Sequence, residues 1–289
     1  MIKSPCETKG IKMKKIIALL GVLFLTACDN VDTNTSKHHL KTENETMKIT
    51  IRPLNAEESW DTILDNHKMH HTQLKQFYHK PDTFIPVPGN KDMEDMFNKE
   101  QLTAEDIEHY RNIFINELYD ANALMRLDSV FQQHVIPELR RTTNEYLVPL
   151  LSSWNAQLPE KLEIVYSPDY SSYYNPQTDY PAFIFVGVNN PSFSAENPFD
   201  DNDKIFSLVF HEFVHTLIEI PIIREYGVPQ DLKERIVDLI CYEFIQRPVR
   251  EDFKDSFANA YITPEVIKTN LPAAVQKMMA DYNAKKEQK

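Results

Sequence analysis

Residues 204–220 read Lys204-Ile205-Phe206-Ser207-Leu208-Val209-Phe210-His211-Glu212-Phe213-Val214-His215-Thr216-Leu217-Ile218-Glu219-Ile220. The run is apolar except at a few positions, and the central ones spell the H-E-x-x-H pattern. A helical turn takes about 3.6 residues, so His211 and His215 share one helix face and both imidazoles can reach one metal ion. Glu212, one position round, can sit beside a water held by that ion. Two histidines and a glutamate in so apolar a helix are costly to bury without a partner. The stretch therefore predicts a core helix with chemistry at its centre.

Working downstream, a catalytic zinc takes about three protein ligands and keeps one position open for water. The expected third ligand is Glu234, on a second helix predicted over residues 229–246 with Pro229 in its first turn. Asp238 follows one turn later. A plainer reading makes Glu234 and Asp238 a solvated face pairing with Lys233 and Arg235, with Glu219 and Glu243 as fallback ligands. Cys241, in an apolar helical stretch, reads as a small buried hydrophobe. Upstream, residues 162–166 and 183–188 are rich in β-branched and aromatic side chains and predict two strands. The segment Tyr170-Ser171-Ser172-Tyr173-Tyr174-Asn175-Pro176 between them reads as a polar, aromatic loop, and residues 189–202 as a second loop.

The two-part pattern of His211-Glu212-x-x-His215, eighteen residues, Glu234, three residues, Asp238 resembles the gluzincin group of metallopeptidases, the thermolysin-like enzymes. The resemblance covers residues 162–246. It implies a bound Zn²⁺ held by His211, His215 and Glu234, with Glu212 as general base and Asp238 orienting a ligand histidine. It also implies a peptide or protein substrate laid along an edge strand at residues 183–188. The chain departs from the thermolysin pattern in three ways. No histidine follows His215, so a tyrosine is the expected transition-state stabiliser; Tyr226 and Tyr261 are candidates, as are Tyr170, Tyr173 and Tyr174, and sequence does not rank them. Pro221 stands where metzincins place a third histidine. The helices come before the zinc pattern, and only residues 247–289 follow the second helix.

Residues 47–52 alternate apolar and polar side chains and predict a short strand closed by Pro53. Residues 56–78 carry Trp60, Ile63, Leu64, Leu74, Phe77 and Tyr78 at helical spacing, before a loop marked by Pro81, Pro86, Pro88 and Gly89. Thr103-Ala104-Glu105-Asp106 reads as a helix start. It opens a helical region to about Asn155 with breaks expected near Asp120 and at Pro137. His67 and His71 also stand four apart, but no acid between them is placed as a base, and they read as polar surface histidines. The fold class that emerges is α+β and mainly helical. A zincin-like region with a small mixed sheet and an active-site helix (159–289) follows an N-terminal helical layer (47–158).

The first 46 residues read as a targeting segment and tether. Met13 is the expected start, Lys14 and Lys15 give a positive opening, and residues 16–25 form an apolar run of about ten, half the roughly 20 that a spanning helix needs. Leu25-Thr26-Ala27-Cys28 resembles the lipobox of bacterial lipoproteins, implying cleavage of residues 1–27 and lipidation of Cys28. Residues 28–46 then act as a lipidated, disordered spacer. The implied setting is the bacterial cell envelope, with the domain anchored to a membrane and facing the periplasm or exterior. The chain carries a net charge of −12. Residues 1–27 hold five lysines and one glutamate, so their removal takes away +4 and leaves −16. An acidic body without a basic run argues against nucleic-acid binding. With Cys28 lipidated, Cys241 is the only cysteine left in the domain and no internal disulfide forms. The rival to an enzyme is a non-catalytic zinc-binding lipoprotein, a scaffold or recognition module. A structural zinc site, however, is closed by four protein ligands, and it would leave Glu212 without a task.

Overall fold

The computed structural model describes residues 47–69, 71, 90–167, 172–175, 182–187, 202–247 and 256–287. The chain divides into two units, Met1–Asn44 and Glu45–Lys289, and every described residue belongs to the second. The leader, Cys28 and the tether lie outside the described residues, as do Leu74, Phe77, Tyr78, the proline-marked loop after them, Tyr170 and the loop at 189–201.

Four strands form one mixed sheet: β1 (Lys48–Pro53), β2 (Lys161–Ser167), β3 (Ser172–Asn175) and β4 (Ala182–Gly187), in the order β1-β2-β4-β3. β1 and β4 both run parallel to β2, with Ile164 opposite Ile51 on one side and Ile184 on the other. β3 pairs antiparallel with β4, Tyr174 opposite Ile184. The inner strands β2 and β4 are covered on both faces, which is why they read as nearly continuous apolar runs. Leu162, Ile164, Tyr166, Ala182, Ile184 and Val186 face the main core. Val165 and Phe185, pointing the opposite way by strand alternation, pack with Leu54.

Two expectations are corrected here. Residues 172–175 form a strand where a loop was expected, because the segment's backbone is satisfied by distant β4 and the Ser172 hydroxyl accepts from the Gly187 amide at 3.3 Å. Strand pairing of this kind depends on a partner that short-range composition does not reveal. In consequence β4 is paired on both sides and is not an edge; among the described residues the edges are β1 and β3.

The sheet also ties together the N-terminal helical region and the region after residue 158. β1 precedes the helices yet pairs with β2, and Leu124, Phe131, Leu139 and Trp154 share one core with the strands and with residues as far on as Met279. The helices that follow β1 are α1 (Ala56–Met69), α2 (Lys91–Asn98), α3 (Ala104–Ile113), α4 (Ala121–Val130) and α5 (Ile136–Thr142). α3 starts at the predicted place, with a reciprocal capping box between Thr103 and Asp106. The chain breaks at Tyr119 and Asp120 as expected. At Pro137 it does not break. Residues Phe131–Val135 widen into a π-helical turn and the proline enters at the start of α5, where its missing N–H and its ring are accommodated by looser winding.

Trp60, Ile63, Met93, Met96, Phe97, Tyr110 and Phe114 make a smaller second core among α1, α2 and α3. His67 belongs to its wall, contrary to the surface reading. It is 3% exposed, with Nε2 2.7 Å from the Lys99 carbonyl, and Nε2 of His71 lies 2.8 Å from the Phe97 carbonyl. The two rings thus donate to carbonyls at the C-terminal end of α2, where a helix leaves its last carbonyls to partners outside it.

The apolar run becomes α6 (Asn202–Ile218), which winds on as a π-helical segment over Glu219–Arg224 containing Pro221. It contacts β3, β4 and the next helix, α7 (Gln230–Ile245). Its length and composition would allow it to cross a membrane, but 83% of the relevant stretch is buried inside the protein, as befits a core helix that is apolar all round. The reversal into α7 uses Gly227 at φ +61°, a left-handed conformation open to glycine at little cost, and the Val228 amide closes onto the Ile223 carbonyl at 2.9 Å. α8 (Pro264–Thr269) and α9 (Leu271–Glu287) complete the core. The buried Trp154 indole donates to the Ile267 carbonyl at 2.8 Å, fixing α8 to the earlier helices.

Candidate metal centre

The antiparallel α6 and α7 bring together the residues that the sequence pattern singles out. Nε2 of His211 and Nε2 of His215 lie 3.1 Å apart. The Glu234 carboxylate reaches across from α7, with Oε2 3.4 Å from His211 and Oε1 3.4 Å from His215. Around one tetrahedral ion with bonds of about 2.0–2.1 Å, two ligand atoms sit roughly 3.3 Å apart. The 3.1 Å between the imidazoles, and the 3.4 Å from each imidazole to its own oxygen of the Glu234 carboxylate, are close to that spacing. His211, His215 and Glu234 therefore form a cluster that could hold a metal ion.

The donor chemistry agrees with the spacing. Nδ1 of His211 faces Oδ1 of Asp238 at 3.5 Å, which places the ring proton on Nδ1 and leaves Nε2 with its lone pair toward His215 and Glu234. Burial pushes the His211 pKa well below the usual histidine range and holds the ring neutral. Burial acts to raise the Glu234 carboxyl, but the neighbouring imidazoles outweigh it and keep the group ionised. Two imidazole acceptors and a carboxylate facing one another are satisfied together by a cation. Gln230 braces the carboxylate from outside, its amide donating to Oε1 at 2.8 Å.

Asp238 is 2% exposed and Arg235 is 6% exposed, so this side of α7 is not the solvated face that was the plainer alternative. Cys241 is buried with its Sγ 4.0 Å from Nδ1 of His211, and burial pushes its thiol far above the ordinary range, so it packs as a neutral group. Glu212 is buried at 6% exposure, and desolvation pushes its carboxyl up to about 7. Its charge is felt by Tyr174 on β3.

The fallback ligands are engaged elsewhere. Glu243 pairs with Lys268. Glu219 accepts from Tyr174 at 2.6 Å and from Arg224 at 3.0 Å. Of the tyrosines, Tyr261 donates to Asp281 on α9 at 2.8 Å, and Tyr226 packs against the main core. Tyr170 and the side chain of Tyr173 lie outside the described residues. Tyr174 is the candidate found against the cluster, its ring stacked on His215 with centroids 4.6 Å apart and planes 7° apart.

Sequence reasoning missed the surroundings of that tyrosine. Lys233 donates to the Tyr174 hydroxyl at 3.1 Å, and its ammonium lies 4.0 Å from the Glu219 carboxylate. Glu219, four positions on from His215 on the same face, was expected as a fallback ligand and serves instead as the acceptor for that hydroxyl. In the plainer reading Lys233 pairs with Glu234 or Asp238, and nothing in the sequence marks it as a partner of Tyr174.

Fold and site together define a mainly helical α+β protein with a buried two-histidine, one-glutamate cluster between adjoining helices. No family of known proteins, curated protein or solved structure matches the chain.

Proposed function

We propose that the protein is a zinc-dependent metallopeptidase of gluzincin type, with His211, His215 and Glu234 as metal ligands. The observation that carries this reading is the convergence of three donor groups, with the two Nε2 atoms 3.1 Å apart and each 3.4 Å from one oxygen of the Glu234 carboxylate, beside the buried Glu212. A divalent ion held by His211, His215 and Glu234 would supply Lewis acidity, lowering the pKa of a water there to about 7 and polarising a substrate carbonyl. Glu212, next to His211 on α6, takes the water's proton and passes it to the leaving amine. Asp238 holds His211 in the tautomer that presents Nε2. β3, at the edge of the sheet among the described residues, replaces residues 183–188 as the strand along which an extended peptide pairs. Lipidation at Cys28, with the domain held at the bacterial cell envelope, remains part of this reading, and mass spectrometry of the mature N-terminus tests it.

The test of function is metal content together with hydrolysis of a mixed peptide library by the purified protein. About one zinc per chain, lost in His215→Ala and Glu234→Ala, and peptide cleavage lost in Glu212→Gln are the expected results. Tight zinc without cleavage would favour the non-catalytic lipoprotein, and no zinc in the parent would refute the metal reading.

A further inference from the structure

The two candidate ligand histidines are held in different ways. His211 has the usual arrangement, its second ring nitrogen facing a carboxylate, Asp238, at 3.5 Å. His215 does not. Its Nδ1 is buried without a hydrogen-bond partner among the described residues, although ligand imidazoles nearly always have their second nitrogen so engaged. A ring without that bond can turn about its χ2 axis, a soft torsion with broad minima. What lies against it is the ring of Tyr174, parallel to within 7° at 4.6 Å. Tyr174 is in turn fixed at its far end, because its hydroxyl donates to Glu219 at 2.6 Å and accepts from Lys233 at 3.1 Å. Arg224 holds Glu219 from the other side at 3.0 Å. Backbone pairing of β3 with β4 fixes the root of the tyrosine.

We infer that Tyr174 is a positioning residue for His215, its anchored ring setting the imidazole plane by stacking where a hydrogen bond to Nδ1 would ordinarily do so. Aromatic faces prefer defined offsets and separations, so a fixed ring restricts its neighbour's rotation. The Tyr174 hydroxyl, committed to Glu219 and Lys233, is then a brace and is not aimed at substrate. This inference extends the metal-ligand reading of His215, yet the ring's immobility belongs to the protein itself and can be read without metal.

The experiment has two readouts on the full chain. The first is side-chain NMR relaxation of ¹³C-labelled histidine in metal-free protein, with the His215 signal assigned by its loss in His215→Gln. The ring should be as rigid as the backbone in the parent and in Tyr174→Phe, which keeps the stack, and mobile in Tyr174→Leu. The second is Zn²⁺ affinity by chelator competition. Tyr174→Leu should bind about 10-fold or more weakly, in line with losses seen when groups that orient ligands are removed, and Tyr174→Phe should fall by about threefold or less. A mobile His215 ring in the parent overturns the inference without any variant, even if Tyr174→Leu fails to fold. Equal losses in the Phe and Leu variants would also overturn it by assigning the effect to the hydroxyl. A parent that binds no zinc but shows a rigid ring released in Tyr174→Leu would refute the proposed function and leave the positioning role standing.

Discussion

Glu212 and Asp238 stand beside the His211, His215 and Glu234 cluster and are expected to fail in different ways when changed. Glu212→Gln keeps the size of the side chain and removes its capacity to take a proton. Zinc content should be unchanged while turnover falls by about 10²-fold or more, measured by peptide cleavage at matched metal loading. Asp238→Asn removes the charge facing Nδ1 of His211 and should weaken Zn²⁺ binding by about 10- to 100-fold, read by chelator competition. An Asp238→Asn protein with parental affinity would show that the charge of Asp238 is not what holds His211. His211, Glu212 and His215 were legible because helical spacing fixes which side chains share a face, whereas Glu234 and Asp238, on a second helix, were expected from the two-part pattern and the need for a third ligand. Tyr174 was one unranked candidate among several, and neither its stacking partner nor the Lys233 brace has a short-range signature.

At the scale of elements, helix ends were read well where a side chain closes them locally. Thr103 and Asp106 cap α3 reciprocally, and Thr103→Ala should cost about 1 kcal/mol in denaturant unfolding. The α1–α2 contact was read poorly, because the carbonyls that His67 and His71 face lie 26 or more residues away in the chain. It makes a pH prediction. Burial lowers the His67 pKa below 6.5, so between the folded and unfolded values the unfolded chain binds the proton more readily. This contribution is complete above about pH 6.5 and is lost as pH falls through the lower folded value. Chemical unfolding from pH 8 to pH 5 should show that decline, and His67→Gln should flatten it; an unchanged slope would remove His67 as its source.

For the molecule as a whole, β1 and the main core make residues 45–289 a single unit. Phe131, from the π-helical turn before α5, stacks on Tyr166 of β2 with centroids 4.7 Å apart. Phe131→Ala opens a cavity at that junction and should cost about 3–5 kcal/mol. The two tryptophans report on different places, Trp60 in the smaller core and Trp154 in the main one. Their fluorescence transitions should coincide in the parent and shift together in Phe131→Ala. Separate transitions would divide the unit into a helical layer and a sheet-bearing domain that unfold independently.

The sequence by itself determined the α+β class, the buried character of α6, the presence of strands at β2 and β4, and the shared face of His211 and His215. Each of these follows from periodicity or spacing within a few turns of chain, where geometry is fixed by the backbone; Glu234 and Asp238, on a separate helix, were expectations that the structure places beside them. Only the tertiary structure decided that residues 172–175 are an edge strand, that β4 is internal, that His67 is buried, and that Tyr174 lies flat on His215. Those facts depend on which distant segment supplies the partner for a backbone amide, a carbonyl or a ring face, and that choice is made by the packing of the whole unit.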